Sequence, residues 1–173
     1  MKKHFYNVVG VMSGTSLDGI DLVHVNFEFE QRWRFRIQHK ETVAYDKKWT
    51  DILKNLVSLS DEELASIDED YTDYLGKAIK KFLQKYNIEN LDTICSHGHT
   101  ALHQPEKNLT YQIGNRSEIS KIIGETVVCD FRTQDVELGG QGAPLVPIGD
   151  RLLFSNYDFC LNLGGFANVS MEI

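Results

Sequence analysis

The sequence predicts an α/β domain built on a mixed five-stranded sheet. Three observations carry that reading. The chain opens with three strand-like runs joined by short turns. A single long stretch of helical periodicity follows. Short apolar runs then alternate with helical segments, as crossover connections require. The element order reads β-β-β-α-β-α-β.

Asn7 to Met12 (NVVGVM) is the first strand, a continuous apolar run. Ser13 to Gly19 is a turn of small and hydroxyl residues. Ile20 to Glu28 alternates, with Val23, Val25 and Phe27 sharing one face. Trp33, Phe35 and Ile37 alternate with Arg34, Arg36 and Gln38, which predicts a half-exposed strand with a charged outer side. Ser60 followed by Glu63 is a capping box, and the apolar series Leu64, Ile67, Tyr71, Leu75, Ile79 and Phe82 extends a helix towards Asn87. Leu91 to Ser96 and Tyr111 to Ile113 read as short strands. Ser117 to Ile123 reads as a short helix stopped at Gly124, Thr126 to Phe131 as a buried strand, and Ala143 to Phe154 as a helix. Tyr157 to Glu172 repeats the opening layout of strand, small-residue turn, strand. The expected division is therefore a first domain over 1–155 and the start of a second over 156–173.

Composition excludes several classes. The 173 residues include 18 basic and 25 acidic side chains, and the net charge of −7 with no Lys/Arg stripe argues against a nucleic-acid protein. No apolar run reaches the length of a membrane span, and the opening MKKHFYNVVGVMSGTS turns polar too early for a secretory leader. Cys95, Cys129 and Cys160 form no CxxC pair and sit in apolar runs, so buried reduced thiols in a cytoplasmic protein are expected.

Four segments carry candidate chemistry. Met12 to Asp21 (MSGTSLDGID) offers backbone N–H groups and hydroxyls to an anion, with Asp18 placed to hold a Mg²⁺ through its waters. It is not a Walker loop, because GK[ST] is missing and a strand follows. A plain hairpin turn capped by Asp18 is the alternative. Cys95 to His103 (CSHGHTALH) sets His97, His99 and His103 in a row, which admits a zinc hydrolase; a loop at a strand end presenting His97 to a ligand crevice fits better. Asp130 to Pro144 (DFRTQDVELGGQGAP) follows a predicted strand. Asp130, Arg132 and Gln141 among glycines suit a polyhydroxylated or carboxylated ligand, or else Asp130 and Arg132 pair to close a loop. Asn162 to Asn168 (NLGGFAN) is a second Gly-Gly turn between strands.

Taken together, MSGTSLDGID, SHGHT with HQP, DFRTQDVELGGQGAPLVP and LNLGGFANVS resemble, in order and spacing, the N-terminal half of the anhydro-N-acetylmuramic acid kinase family. The resemblance runs from about Asn7 to the last residue. It implies a ribonuclease-H-like domain of the actin-like ATPase superfamily, in which two such domains close over ATP. It implies that Gly14, Thr15, Ser16, Leu17, Asp18, Gly19, Ile20 and Asp21 contact ATP phosphates, with Asp18 near Mg²⁺. Gly164, Gly165 and Asn168 would form the matching turn of the second domain. His97, Asp130, Arg132 and Gln141 would face the sugar. The implied reaction phosphorylates the 6-oxygen of 1,6-anhydro-N-acetylmuramic acid while water opens the anhydro bridge, giving N-acetylmuramic acid 6-phosphate in cell-wall recycling. ATP, Mg²⁺ and the anhydro-sugar are the implied partners, with a homodimer suggested and no nucleic acid or membrane. The family's DTGPGN-type segment, taken to supply the catalytic base, would follow Ile173, so an inactive N-terminal fragment is expected, or a non-catalytic sugar- or phosphate-binding domain. His99 stands where the family usually has Gln, and Gln104 where it often has Glu.

Overall fold

The protein is described by a computed structural model covering residues 4–107, 109–163 and 167–171. The elements are β1 (Phe5–Ser13), β2 (Ile20–Phe29), β3 (Trp33–Val43), α1 (Lys47–Lys54), α2 (Asp61–Lys85), β4 (Thr93–Ser96), β5 (His99–Gln104), β6 (Leu109–Ile113), α3 (Glu118–Ile123), β7 (Val127–Val128), α4 (Phe131–Glu137), α5 (Val146–Leu153), β8 (Cys160–Leu163) and β9 (Ala167–Ser170). The main sheet has five strands in the order β3-β2-β1-β4-β7. β1, β2 and β3 pair antiparallel, as the opening meander predicts, whereas β1–β4 and β4–β7 are parallel.

The core forms on one side of this sheet. Val9 and Val11 lie beside Leu22 and Ile20 on β1 and β2, with Ile94 of β4. All five are buried against Tyr71, Leu75, Ile79 and Phe82 of α2. Burying such side chains stabilises by about 1.5–3 kcal/mol each, so this seam is the main source of stability. The capping box forms as read: Ser60 Oγ accepts from Glu63 N at 3.3 Å and Glu63 Oε2 accepts from Ser60 N at 2.8 Å. The opposite face of β2 carries Val23, Val25 and Phe27 and meets the aromatic rings of Trp33 and Phe35.

Three expectations are corrected. The strand read over 126–131 shrinks to Val127–Val128, because the chain turns at Asp130 (φ 58°) and Phe131 already starts α4. Asp130 and Arg132 therefore sit at the start of a helix that follows the end of β7. His99–Gln104, a polar stretch, pairs with Leu109–Ile113 as a separate hairpin. The three cysteines are free but only partly buried, and Cys129 lies outside any strand.

α5 and the β8–β9 hairpin are set apart. No residue of α5 is buried. Phe154 meets Phe35 of β3 edge-on at 5.7 Å, and Ser170 Oγ donates to Asp150. Ile148, Leu161, Leu163 and Val169 leave an apolar surface exposed. Among the described residues, no helix is long and apolar enough to cross a membrane.

Candidate active site

β1, β4 and β7 run parallel, so their C-terminal ends share one edge of the sheet. The 14–19 turn leaves β1 there, His97 and Gly98 leave β4, and Cys129 and Asp130 leave β7. Ligands of open α/β sheets bind at this edge. Three of the four segments singled out in the sequence thus converge without being neighbours in the chain. Of the fourth, Gly164 and Gly165 lie outside the described residues, and Asn168 pairs with Asn162 in the hairpin.

The first turn is tight and open to solvent. Leu17 N donates to Gly14 O at 3.3 Å, and Leu17 takes a left-handed φ of 60°. Gly19 (φ 155°) is buried against β3: a Cβ there would stand 2.5 Å from Val43 O, so only glycine closes the turn. Thr15, Ser16, Asp18 and Asp21 are exposed, whereas Ile20 is fully buried and cannot touch a ligand. Ser16 Oγ donates to Asp18 Oδ1 at 2.7 Å. That bond, with backbone N–H groups, holds the Asp18 carboxyl below its ordinary value, so it is an anion at neutral pH. Hard oxygen donors beside a free carboxylate fit Mg²⁺ held through water.

Directly before the turn lies a buried network that the sequence reading missed. Ser13 Oγ touches the hydroxyls of Tyr45 (2.7 Å) and Tyr71 and His99 Nδ1 (3.2 Å), and Tyr45 and Tyr71 are 2.7 Å apart. Four contacts need four protons. The three hydroxyls supply three by donating around their ring, so the fourth is an Nδ1–H of His99 donated to Ser13. Burial pulls the His99 pKa down to about 4, which keeps the ring neutral with that one proton. The network ties β1, α2 and the chain after β4 together at the root of the anion turn. Ser13, Tyr71 and His99 each fall in a buried strand or helix register, and that is the signal that could have found them.

The second and third segments meet around Arg132. Its Nε donates to Gly142 O and its Nη1 to Thr100 Oγ1, both at 2.7 Å. The alternative reading, an Asp130–Arg132 pair, does not form: Asp130 accepts from Thr133 Oγ1 at 2.7 Å. Asp135, also unforeseen, accepts from Gly142 N at 2.7 Å and folds the glycine loop onto α4. Gln141, in that loop, is exposed. His97 stands edge-on to Phe131 at 6.0 Å, and burial lowers its pKa, with Arg132 adding to the effect.

The three histidines do not converge. Gly98 turns the chain at φ 69°, so the extended geometry that would align 97 and 99 is lost. His99 is committed to Ser13, and His103 Nδ1 lies 3.3 Å from Thr110 Oγ1. Among the described residues no three His, Cys, Asp or Glu side chains gather as metal ligands, so a zinc hydrolase is not favoured. A concavity of about 260 Å³ between α5 and the hairpin, lined by Asp150, Phe154 and Cys160 among others, shares no residue with this edge and holds none of its chemistry.

The family model for anhydro-N-acetylmuramic acid kinase matches residues 6–173. The chain belongs to this family. It is 38% identical to the anhydro-N-acetylmuramic acid kinase of Shewanella putrefaciens, covering 98% of this chain and 47% of that protein. The kinases of Pseudomonas putida (38% identical) and Acinetobacter baylyi (34% identical) each cover 94% of this chain, which spans 46% and 44% of them. The chain thus spans about half the length of the curated relatives it matches. The mixed five-stranded sheet agrees with the actin-like ATPase fold expected for the family.

Proposed function

We propose that these residues form the first domain of an ATP-dependent kinase acting on 1,6-anhydro-N-acetylmuramic acid. The observation that carries the reading is the convergence of the 14–19 turn, His97 and Arg132 at one sheet edge. In this reading residues 1–155 are that domain and 156–173 open a second one, whose remainder covers the apolar surface of α5 and the hairpin. Water adds to C1 as a carboxylate base takes its proton, the C1–O6 bond breaks, and O6 takes the γ-phosphoryl group as its bond to the β-phosphate oxygen breaks and ADP leaves. The base and the adenine contacts are assigned to sequence matching the half of the relatives not spanned here.

The N–H groups and hydroxyls of Gly14 to Gly19 cradle the phosphates. Asp18 would hold a Mg²⁺ through its waters, and the ion would supply charge neutralisation at the phosphates. His97, Asp130, Arg132 and Gln141 face the sugar. The working compartment is the cytoplasm, where ATP is available.

Calorimetry tests this with the 173-residue chain. The anhydro-sugar and Mg·ATP should each bind, and ADP release should stay at background. Turnover would overturn the placement of the base; sugar binding without any nucleotide binding would favour the non-catalytic sugar-binding domain. Asp18→Asn should weaken Mg·ATP binding about tenfold, near 1.4 kcal/mol, and leave metal-free ATP unaffected. An equal loss with and without Mg²⁺ would remove Asp18 from the metal.

A further inference from the structure

β3 is the longest strand of the main sheet, and its outer edge is free. It pairs with β2 alone, and among the described residues no other backbone group bonds to it. Such an edge is a row of unpaired N–H and C=O groups that can take another strand. Proline, a bulge or a covering element commonly blunts an edge of this kind. From Trp33 to Ile37 β3 has no proline, and its ladder with β2 shifts only beyond Ile37. α5 reaches this stretch near its start, where Phe154 meets Phe35.

The two sides of this strand differ in chemistry. Arg34 stands across from Glu28 and Arg36 across from Asn26 on one side; Phe35 faces Phe27 and Ile37 faces Val25 on the other. All four β3 side chains are exposed. A concavity of about 320 Å³ lies on the first side, with Phe5, Asn26, Arg34 and Arg36 among its walls. A second, of about 350 Å³, opens between Trp33 and Phe35 and the end of α5 at Leu152 and Leu153. Among the described residues Arg32, Arg34, Arg36 and Lys40 make no ion pair. Glu28 is the one carboxylate in the first concavity, so two arginines leave that side net positive.

We propose that the outer edge of β3 takes an extended acidic segment of another protein as a sixth strand of the sheet. Side chains of a strand alternate between its faces. Acidic residues of the guest therefore meet Arg34 and Arg36, and the apolar residues between them pack on Phe35 and Ile37. Main-chain hydrogen bonds supply the affinity and the alternate side chains supply the choice of partner. Charge also decides against a second copy of this chain. Added antiparallel about Phe35, a second β3 sets Arg34 against Arg36; about Arg36, it sets that residue against itself. Like charges directly opposite each other destabilise a strand pair. The inference does not depend on the kinase reading.

The test is calorimetry on the full chain with a peptide of about ten residues alternating Glu and Val, long enough to span an ordinary strand. This peptide should bind, and one alternating Lys and Val should not. Arg34→Glu combined with Arg36→Glu should weaken binding about tenfold or more, as the loss of a charge-assisted bond does. Both side chains are exposed, so the double variant should keep its fold, which circular dichroism checks. Lys121→Glu, on α3, should leave the affinity unchanged. A Glu–Val peptide methylated at every backbone nitrogen keeps its charges and loses its donors, so it should fail to bind. No binding of the Glu–Val peptide, equal binding of the methylated one, or an unchanged affinity in the double variant each overturns the proposal. Capture by phosphatidylglycerol vesicles without peptide binding would make the edge a lipid-facing surface and overturn it too. Dimerisation of the wild type that the double variant abolishes would make the occupant a second copy, with the same consequence.

Discussion

Replacing Asp68 by Ala is expected to destabilise the chain by about 4 kcal/mol, from the loss of several hydrogen bonds to one charged acceptor. Asp68 lies on the buried side of α2 and is 4% exposed. It accepts from Tyr111 Oη and Gly114 N, each at 2.7 Å, and from Thr72 Oγ1 at 3.3 Å. Burial, with the bond to Asp68, raises the Tyr111 phenol to about 12, so Tyr111 is a permanent donor. Truncation leaves the Gly114 N–H buried with no acceptor. Asp68→Asn keeps one acceptor oxygen and should cost about half as much. Urea unfolding followed by circular dichroism measures both. A loss below about 1 kcal/mol for Asp68→Ala would show that the three donors find other partners. Because these bonds hold the β5–β6 hairpin on α2, the same variant should also weaken sugar binding through Thr100.

Asp68 also marks where sequence reading stops. Leu64, Tyr71, Leu75 and Ile79 define the buried stripe of α2, and Asp68 falls four residues after Leu64, on that stripe. A carboxylate at such a register can be flagged as buried, but its two short hydrogen bonds, each of 2.7 Å, come from residues 43 and 46 positions away. The opening meander, the capping box and the Gly124 stop were legible because each is a local pattern with a local cause. Gly124 caps α3 at φ 89° with Gly124 N donating to Ser120 O at 2.8 Å. The run TVVCDF misled because apolar content does not say how many residues find a ladder partner. β7 is an edge strand pairing only at Val127 and Val128, and the bend at Asp130 is invisible to periodicity.

The site divides in the same way. The 14–19 turn was readable from Gly, Ser and Asp content. Its meeting with His97 and Arg132 depends on the parallel pairing of β1 with β4, a long-range choice that no motif spells out. Arg132 illustrates the limit: proximity in sequence suggested a pair with Asp130, yet the helix start at Phe131 directs it to Thr100 and Gly142.

Lowering the pH from 7 to 5 is expected to remove about 2 kcal/mol of stability through His99 alone. Burial, reinforced by the nearby His97 and opposed by a hydrogen bond at Ser13, brings the His99 pKa from 6.5 to about 4. In the unfolded chain His99 protonates near its ordinary value; in the folded chain it stays neutral until about pH 4. Between those values the unfolded state binds more protons, so stability falls as pH falls. The loss begins near pH 6.5 and levels off near pH 4, at roughly 3 kcal/mol in all. His97, also lowered by burial, acts in the same direction. Asp18, Glu41, Glu63 and Glu118 are held below their ordinary values, so their stabilisation is lost only under more acid conditions. The window from pH 7 to 5 therefore isolates the histidines. His99→Gln can still donate an amide proton to Ser13 but does not titrate, so its urea midpoint should change much less across that window. Equal losses in the two proteins would show that burial does not hold His99 neutral. The ring also predicts where acid acts first. A doubly protonated imidazole still donates through Nδ1, so the bond to Ser13 survives, and the cost is that of a charge placed among buried hydroxyls. Protonation of the folded chain, near pH 4, should thus loosen the packing of α2 on the root of the 14–19 turn, and Mg·ATP affinity should decline there, at the acid end of the interval over which stability falls.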